Sequence, residues 1–267
     1  MTKPNGPDSP PTDDETRRRL GRMTRRGLAI GGAAILAGVA GRHWIYRTGE
    51  EGMLAWPLRR VLGFDERIGR AAFGPSRPTP TFPLARARMP RVNGSYGLDP
   101  APDLDKFRLR VEGPGGARPF TLAEIKALPR VEMITELRCI EGWSTIVRWA
   151  GARLSDLADA ARLATRSGLP AGPRGKPDDL LAYASLATPD GRYYVGLDAA
   201  SARHPQTLLC YEMDGRPLTP GHGAPLRLTI PVKYGIKSIK NLGSIRFTDA
   251  RPADFWADRG YDWYAGH

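Results

Sequence analysis

The chain holds only two cysteines, Cys139 and Cys210, among its 267 residues. A thiolate is a nucleophile, a partner for a disulfide bond and a ligand for soft transition metals. Cys139 lies in Glu-Leu-Arg-Cys-Ile-Glu-Gly-Trp-Ser, residues 136–144, directly before a Gly-Trp turn. Cys210 lies in the apolar run Thr-Leu-Leu-Cys-Tyr-Glu. The count alone leaves three interpretations open: a disulfide between the two, an inert core thiol, or a metal ligand.

Other residues with catalytic potential form no common hydrolytic site. The four histidines are far apart and never in His-Glu-x-x-His spacing, which excludes a zincin site. Gly-Trp-Ser-Thr-Ile at 142–146 lacks the last glycine of a nucleophile elbow. Gly175-Lys176 is followed by proline rather than Ser or Thr, so it is no P-loop. No Cys-x-x-Cys-His occurs, so the chain does not attach a c-type haem to itself.

A predicted strand positions Cys139. Every second residue from Val131 to Cys139 falls on one face and is mostly apolar, whereas Glu132, Glu136 and Arg138 fall on the other. Side chains alternate between the faces of a strand, so this pattern points Cys139 toward the interior.

The remaining elements are mostly short strands. The 31 glycines and 25 prolines favour many strands and turns over long helices. Helices are predicted near Met53–Ile68, after the capping box Thr121–Glu124, and from Leu154 to Ala161. Further strands are predicted at Phe107–Val111, Leu180–Leu186, Arg192–Leu197, Leu226–Val232 and Ser244–Thr248. The mixture predicts an α+β, mainly β fold of mixed sheets with short helices rather than a doubly wound parallel sheet.

The formal net charge is +12. Such a balance is typical of proteins that meet nucleic acid, anionic membranes or acidic ligands. Residues 1–41 hold seven Lys/Arg and four Asp/Glu, so +3 of the charge lies there. The other arginines are scattered among Pro and Gly and accompany no nucleic-acid motif, which favours a generally basic surface over a nucleic-acid footprint.

Residues 1–41 have the pattern of an export signal, with a basic region before the short apolar run Gly27–Gly41. Arg25-Arg26 after Thr24 resembles the twin-arginine motif, although Leu-Ala-Ile replaces the usual Phe-Leu-Lys. The twin-arginine route exports proteins already folded, typically around a cofactor loaded in the cytoplasm. No clean small-x-small cleavage site stands out, so a retained membrane anchor is an alternative to cleavage. Residues 42–90 form an Arg- and Pro-rich lead-in.

The segment Leu-Arg-Cys-Ile-Glu-Gly-Trp-Ser at 137–144, followed by Trp-x-Gly-x-x-Leu at 149–154, resembles the signature of sulfite oxidase-like molybdopterin-dependent oxidoreductases. The nearest branch is the catalytic subunit of periplasmic protein-methionine-sulfoxide reductase. Three further motifs match in order: Arg-Val-Asn-Gly-Ser-Tyr-Gly at 91–97, Gly-His-Gly-Ala-Pro-Leu-Arg at 221–227, and Pro-Val-Lys-Tyr-Gly-Ile-Lys-Ser-Ile-Lys at 231–240. The resemblance covers residues 91–252, and it implies an oxidoreductase domain over 91–267.

The resemblance assigns site residues position by position. Cys139 is expected to be the one protein ligand to molybdenum, and Glu141 is a catalytic candidate for proton handling. The expected contacts to the pterin or its phosphate are Asn93, Tyr96, Gly97, Cys139, Ser185, His222, Arg227, Ser238, Ile239 and Lys240. Gly97, Ser185 and His222 depart from the residues of the reductase. Lys233, Lys237 and Lys240 could supply cationic donors to the cofactor's anionic phosphate.

The implied function is that of an exported molybdenum–molybdopterin enzyme that moves one oxygen atom and two electrons, most simply by reducing methionine sulfoxide or similar S- or N-oxides. The Cys-x-Glu-x-Trp form favours this branch, and the expected assembly is a monomeric catalytic subunit supplied with electrons by a haem-containing membrane or periplasmic partner. Oxidation of sulfite or another small sulfur compound is the alternative within the family. Outside it, a disulfide-bonded periplasmic binding domain predicts a Cys139–Cys210 bond, and a basic membrane-surface adaptor is a third hypothesis.

Overall fold

The computed structural model describes residues 13–51, 53–74, 77–98, 103, 105–172, 176 and 178–267. Within them the chain forms two compact units. The described part of the first comprises residues 13–51 with 55–58, and the second comprises residues 53–54 and the described residues from 59 to 267. The first twelve residues of the predicted export signal lie outside the described part.

The first unit is dominated by a 35-residue helix, α1, Asp13–Arg47, none of whose residues is buried. It carries the paired arginines and the short apolar run Gly27–Gly41. The helix continues beyond that run, and by length and composition it could cross a bilayer, although a signal sequence passes the same test. A strand, β1, Glu50–Glu51, follows.

The remaining elements are short, as the sequence predicts. The strands are β2 Leu54–Ala55, β3 Leu109–Gly113, β4 Gly116–Phe120, β5 Arg130–Arg138, β6 Ser144–Arg153, β7 Tyr183–Ala187, β8 Tyr194–Asp198, β9 Leu208–Met213, β10 Arg216–Pro217, β11 Arg227–Thr229 and β12 Ser244–Thr248. The α-helices are α2 Trp56–Ala72, α3 Leu122–Lys126, α4 Leu154–Ala161 and α5 Ala199–Ala202. Single 3₁₀ turns cover Leu84–Arg86, Pro220–His222, Gly235–Lys237 and Ala257–Arg259.

Two five-stranded sheets build the second unit. One has the order β10-β9-β6-β5, with β11 also paired to β9, and all its pairs are antiparallel. The other has the order β4-β3-β12-β7-β8, in which only the β12–β3 pair is parallel. This confirms the predicted α+β, mainly β class of mixed sheets with short helices.

The main core takes side chains from both sheets. Leu109 and Val111 of β3 join Leu186 of β7, Leu209 of β9 and Leu228 of β11, all fully buried. Fully burying one such side chain contributes about 1.5–3 kcal/mol, so this core holds the two sheets together.

Local sequence signals explain several element ends. Thr121 and Glu124 form the predicted capping box, in which each accepts a hydrogen bond from the other's backbone N–H, and α3 starts there. A tight turn at Asp214-Gly215 joins β9 to β10, with positive φ at both residues. Strand β6 can pair closely with β9 because Gly151 has no side chain: a Cβ there would lie 2.1 Å from the carbonyl oxygen of Leu209.

Candidate functional site

A cavity of about 240 Å³ opens where the β5–β6 hairpin turn meets three loops. Its lining comes from residues 90–96, the turn 137–143, the segment 222–240, and three aromatic residues from elsewhere in the chain, Tyr193, Trp256 and Tyr261. Of the predicted site residues, it brings together Asn93, Tyr96, Cys139, Glu141, His222, Arg227, Ser238 and Lys240.

Cys139 stands directly after β5, at the start of the hairpin turn. Its N–H donates to the carbonyl of Trp143 at 2.9 Å, and its carbonyl accepts from the N–H of Gly142 at 3.1 Å. Gly142 has φ of +86°, a conformation that suits glycine and lets the turn close this tightly. Met133 and Thr135 are buried on the predicted inner face of β5, and the same alternation directs half-buried Cys139 to the cavity.

One carboxylate lies beside the thiol. Oε2 of Glu141 accepts from Nη2 of Arg91 at 2.7 Å, from Nε1 of Trp143 at 3.0 Å and from Nδ2 of Asn93 at 3.4 Å. Nδ2 of Asn93 also lies 3.7 Å from Sγ of Cys139. The Trp143 hydrogen bond, with those from Asn93 and Arg91, lowers the pKa of Glu141 below its ordinary value. Glu141 is therefore an anion at neutral pH, which favours a role in positioning its neighbours; proton handling stays a prediction.

A second part of the lining, formed by Arg227 and Lys240, is cationic. Arg227 is 4% exposed, and its guanidinium donates only to carbonyls within the described residues, those of His222 and Ser238 at 3.1 Å and of Leu228 at 3.4 Å. It also stacks on the ring of Trp149, 4.9 Å from the ring centroid. Burial lowers the pKa of Arg227 to about 10, so it is charged at neutral pH.

Lys240 extends this cationic wall. Nζ of Lys240 donates to the carbonyls of Asn93 at 2.6 Å and of Gly221 at 2.9 Å, and no described carboxylate pairs with it. Burial, and to a lesser extent the charge of Arg227, lower the pKa of Lys240 to about 8. His222 is buried beside both, and burial lowers its pKa, which makes it neutral at pH 7. Buried Arg227 and half-buried Lys240, neither with a carboxylate partner among the described residues, make this wall suited to binding an anion.

Three predicted contacts do not line the cavity. The carbonyl of Gly97 accepts from Nδ2 of Asn241 at 2.7 Å, and a Cβ at position 97 would collide with Thr188. Ser185 lies on β7 in the other sheet, and Ile239 is buried in the main core. None of the three is at the surface of this cavity, and their contact with the cofactor stays a prediction.

Lys233 and Lys237, predicted as cationic donors, are also directed elsewhere. Nζ of Lys237 lies 2.5 Å from Oδ2 of Asp254 in an ion pair that is about 1–2% exposed. Nζ of Lys233 lies over the Tyr264 ring, 2.7 Å from its centroid, and has no hydrogen-bond acceptor among the described residues. Only Lys240 of the three lines the cavity, because Lys233 and Lys237 are buried against Tyr264 and Asp254.

Sequence reasoning missed part of the rim. Arg91 was noted only as the start of a motif, yet it pairs with Glu141 and lies over the Trp143 ring at 4.6 Å. Trp256 and Tyr261 follow β12 and stand T-shaped to each other at 5.0 Å. Five aromatic residues cluster between positions 255 and 264, which is a signal in composition, but no local pattern relates them to Cys139, more than 110 residues earlier.

The disulfide hypothesis disagrees with the structure. Both cysteines are free thiols, Cys139 in the cavity and Cys210 fully buried within β9. Burial raises the pKa of Cys210 to about 12, which is the behaviour of an inert core thiol. Cys139 is thus the one cysteine placed to act as a ligand.

The residues fit a metal that arrives within an organic anion better than a bare ion. The described residues contain no group of three or more His, Cys, Asp or Glu side chains that could hold a metal on its own. One thiol, buried Arg227 and half-buried Lys240 in the same cavity suit a cofactor that brings most of its metal ligands and ends in a phosphate.

Comparison with known proteins agrees with this chemistry. The family model described as "oxidoreductase molybdopterin binding domain" matches residues 97–256. A protein of Azospira oryzae, provisionally named protein-methionine-sulfoxide reductase subunit YedZ1, is 31% identical over 91% of this chain and 86% of its own length. The catalytic subunit MsrP of protein-methionine-sulfoxide reductase from Xanthomonas campestris is 37% identical over 50% of this chain.

The overlap with MsrP is partial: this chain spans 42% of the length of the Xanthomonas protein. Among solved structures, the sulfane dehydrogenase SoxCD from Paracoccus pantotrophus matches with a TM-score of 0.46 and 18% identity, over 56% of this chain and 40% of that one.

Proposed function

The chain belongs to the oxidoreductase molybdopterin-binding domain family, and on that premise we propose that it is the catalytic subunit of an exported sulfoxide reductase. The family match covers residues 97–256, and the residues that line the cavity lie between Pro90 and Tyr261. Its relatives carry the name protein-methionine-sulfoxide reductase, which supports oxidised methionine or a similar sulfoxide as the substrate.

One observation carries the proposal. A half-buried, free thiol faces a cavity whose lining also holds two cations, buried Arg227 and half-buried Lys240, without carboxylate partners among the described residues. Leaving a buried cation without a counter-anion costs several kcal/mol, so the arrangement favours a bound anion. Molybdopterin offers that anion in its phosphate and a metal for the thiolate.

Each residue then has a defined part. Cys139 would hold the molybdenum, and the N–H of Asn93, 3.7 Å from its sulfur, would stabilise the thiolate. Arg227 and Lys240, with neutral His222 and the backbone at Ser238, would hold the pterin and its phosphate. Bound there, the cofactor supplies two-electron oxygen-atom transfer. The protein binds and orients it.

The rim is suited to a small thioether-like group. Trp143, Trp256 and Tyr261 line the cavity with Tyr96, and aromatic side chains contact sulfur favourably. Reducing one sulfoxide consumes two electrons and two protons and releases the sulfide and one water. We propose that the electrons come from a haem-containing membrane or periplasmic partner, since a molybdenum site needs an external donor for each turnover.

Export by the twin-arginine route to the periplasm is part of the same proposal. The paired arginines Arg25 and Arg26 lie on α1 ahead of its apolar stretch, and a folded, cofactor-loaded enzyme requires a route that does not unfold it. The signal would either be cleaved or remain as an anchor.

The test is expression in a host that makes the molybdenum cofactor, followed by metal and pterin analysis and turnover. We expect molybdenum equimolar with the chain, and reduction of methionine sulfoxide by a dithionite-reduced viologen. Cys139→Ala should abolish turnover. Cys210→Ala is the matched control, because that thiol is buried outside the cavity.

Two results would contradict the proposal. A chain that contains no molybdenum despite ample supply, or a Cys139→Ala variant with undiminished turnover, would overturn the cofactor assignment. Faster oxidation of sulfite with ferricyanide than reduction of any sulfoxide would instead overturn the direction of the reaction.

A further inference from the structure

Residues 59–72 of helix α2 belong to the second unit and pack within it through their charged side, not their apolar side. Glu66 is the one buried residue of this helix, at 8% exposure. Its carboxylate pairs with Nε of Arg70 at 2.9 Å and with Nη2 of Arg251 at 2.7 Å. Nη1 of Arg70 also pairs with Asp198 at 3.1 Å. Ion pairs therefore fix the inner face of the helix.

The outer face of the same helix is apolar. Val61, Phe64 and Ile68 are 57%, 54% and 54% exposed. At 3.6 residues per turn, positions i, i+3 and i+7 fall on one stripe, opposite Glu66. A surface helix normally turns its apolar stripe to the core, so α2 is inverted. An apolar stripe that faces outward is typical of a surface that contacts a membrane or another protein.

The short linker between α1 and α2 favours a membrane as the surface that the stripe contacts. Trp56, the first residue of α2, follows Arg47, the last of α1, by nine residues, which reach at most about 30 Å. Helix α1 has the length and composition to cross a bilayer. The stripe on α2 is therefore tethered within reach of any membrane that α1 enters.

The cation beside the stripe suits an anionic headgroup region. Arg67 lies along one edge, with its guanidinium 5.6 Å from the Phe64 ring, whereas the other edge carries the acidic residue Asp65. A long cationic side chain beside an apolar stripe is typical of helices that lie in the membrane interface, where the stem covers apolar surface and the head meets phosphate.

We propose that α2 is an interfacial helix whose stripe of Val61, Phe64 and Ile68 lies in the headgroup region of an anionic bilayer. This assignment is independent of the redox chemistry. It also bears on the cavity, because Arg59 of the same helix donates to the carbonyls of Ala257 at 2.8 Å and Tyr261 at 3.1 Å. That turn carries part of the cavity rim, so a membrane-bound electron donor would meet the cavity close to the bilayer.

The test uses the full chain, with α1, in vesicles that contain phosphatidylglycerol. A photoreactive phenylalanine analogue replaces Phe64 in one variant and Leu169, which is 60% exposed elsewhere in the second unit, in the matched control. We expect at least tenfold more lipid labelling from position 64. Equal labelling from the two positions would overturn the proposal, and so would cross-links from position 64 to a second copy or to another protein.

Hydrogen exchange gives a second, independent measurement. Vesicles should slow exchange of the amides of residues 59–72 at least fivefold in the wild-type chain. In a Phe64→Asp/Ile68→Asp variant that slowing should disappear, with the melting temperature in detergent unchanged because both side chains are exposed. The same slowing in the variant would show that α1 alone causes it and would overturn the role of the stripe.

Discussion

The cationic wall of the cavity gives a quantitative prediction for Lys240→Met. Nζ of Lys240 donates to the carbonyls of Asn93 and Gly221, at 2.6 and 2.9 Å, and faces the cavity. Methionine keeps the length of the side chain and removes the charge. We expect weaker retention of the cofactor, because a cationic donor to its phosphate is lost.

The size of the effect follows from the charge of the donor. A hydrogen bond to a charged group contributes about 1.5–3 kcal/mol, so Lys240→Met should weaken retention roughly 10- to 150-fold. The wild-type protein should also lose affinity as the pH rises, because the pKa of Lys240 in the free site is about 8. Each pH unit above that value leaves about tenfold less protonated lysine to meet the phosphate.

Lys240→Arg is the matched control. A guanidinium stays protonated through pH 9, so this variant should retain the cofactor without the pH-dependent loss. The assay incubates loaded protein at pH 7, 8 and 9, removes free cofactor by filtration, and measures the retained pterin by its fluorescence after oxidation. Retention by Lys240→Met equal to that of the wild type would refute the reasoning. So would the same pH-dependent loss in Lys240→Arg.

Three further predictions concern buried or bonded charges. Asp254→Asn leaves Lys237 buried without its partner, which should cost about 3–5 kcal/mol and lower the melting temperature by on the order of 10 °C in a thermal scan. Burial lowers the pKa of Lys233 to about 7, so between pH 7 and about 10 the unfolded chain binds more protons than the folded chain. The free energy of unfolding should therefore rise with pH in that range, by up to about 1.4 kcal/mol per pH unit. Denaturant titrations of Lys233→Met should lack this slope, and an unchanged slope would assign it to other groups. The lowered pKa of Glu141 keeps its carboxylate ionised above pH 5. Glu141→Gln should therefore reduce turnover about tenfold without changing the shape of the pH–rate profile between pH 5 and 8. Loss of a titration limb in that range would show that Glu141 does transfer protons.

Local patterns predicted the elements better than their ends. The alternation on β5, the capping box at Thr121 and the helix after Gly151 are all confirmed, because each depends on neighbours in the sequence. The strand predicted over Leu226–Val232 is shorter, Arg227–Thr229, because the chain turns directly after it. In that turn the N–H of Lys233 donates to the carbonyl of Ile230 at 3.1 Å. Tertiary contacts that no local pattern contains set this boundary.

The site was predictable where one motif supplied both position and chemistry. Cys139, Glu141 and Asn93 meet as the resemblance implies, since the hairpin turn fixes two of them within three residues. Ser185 and Lys237 were not separable from true cavity residues by sequence. Ser185 lies in the other sheet, and Lys237 is committed to Asp254, a partner 17 residues away whose approach depends on the whole fold.

The coordination of the metal by Cys139 can be measured directly by molybdenum X-ray absorption on loaded wild-type protein and a loaded Cys139→Ser variant. If Cys139 completes the metal's ligands, the wild type should show one more sulfur neighbour than the variant, because the other two sulfurs belong to the pterin. An equal number of sulfur neighbours in the two proteins would mean that the thiol in the cavity does not bind the metal.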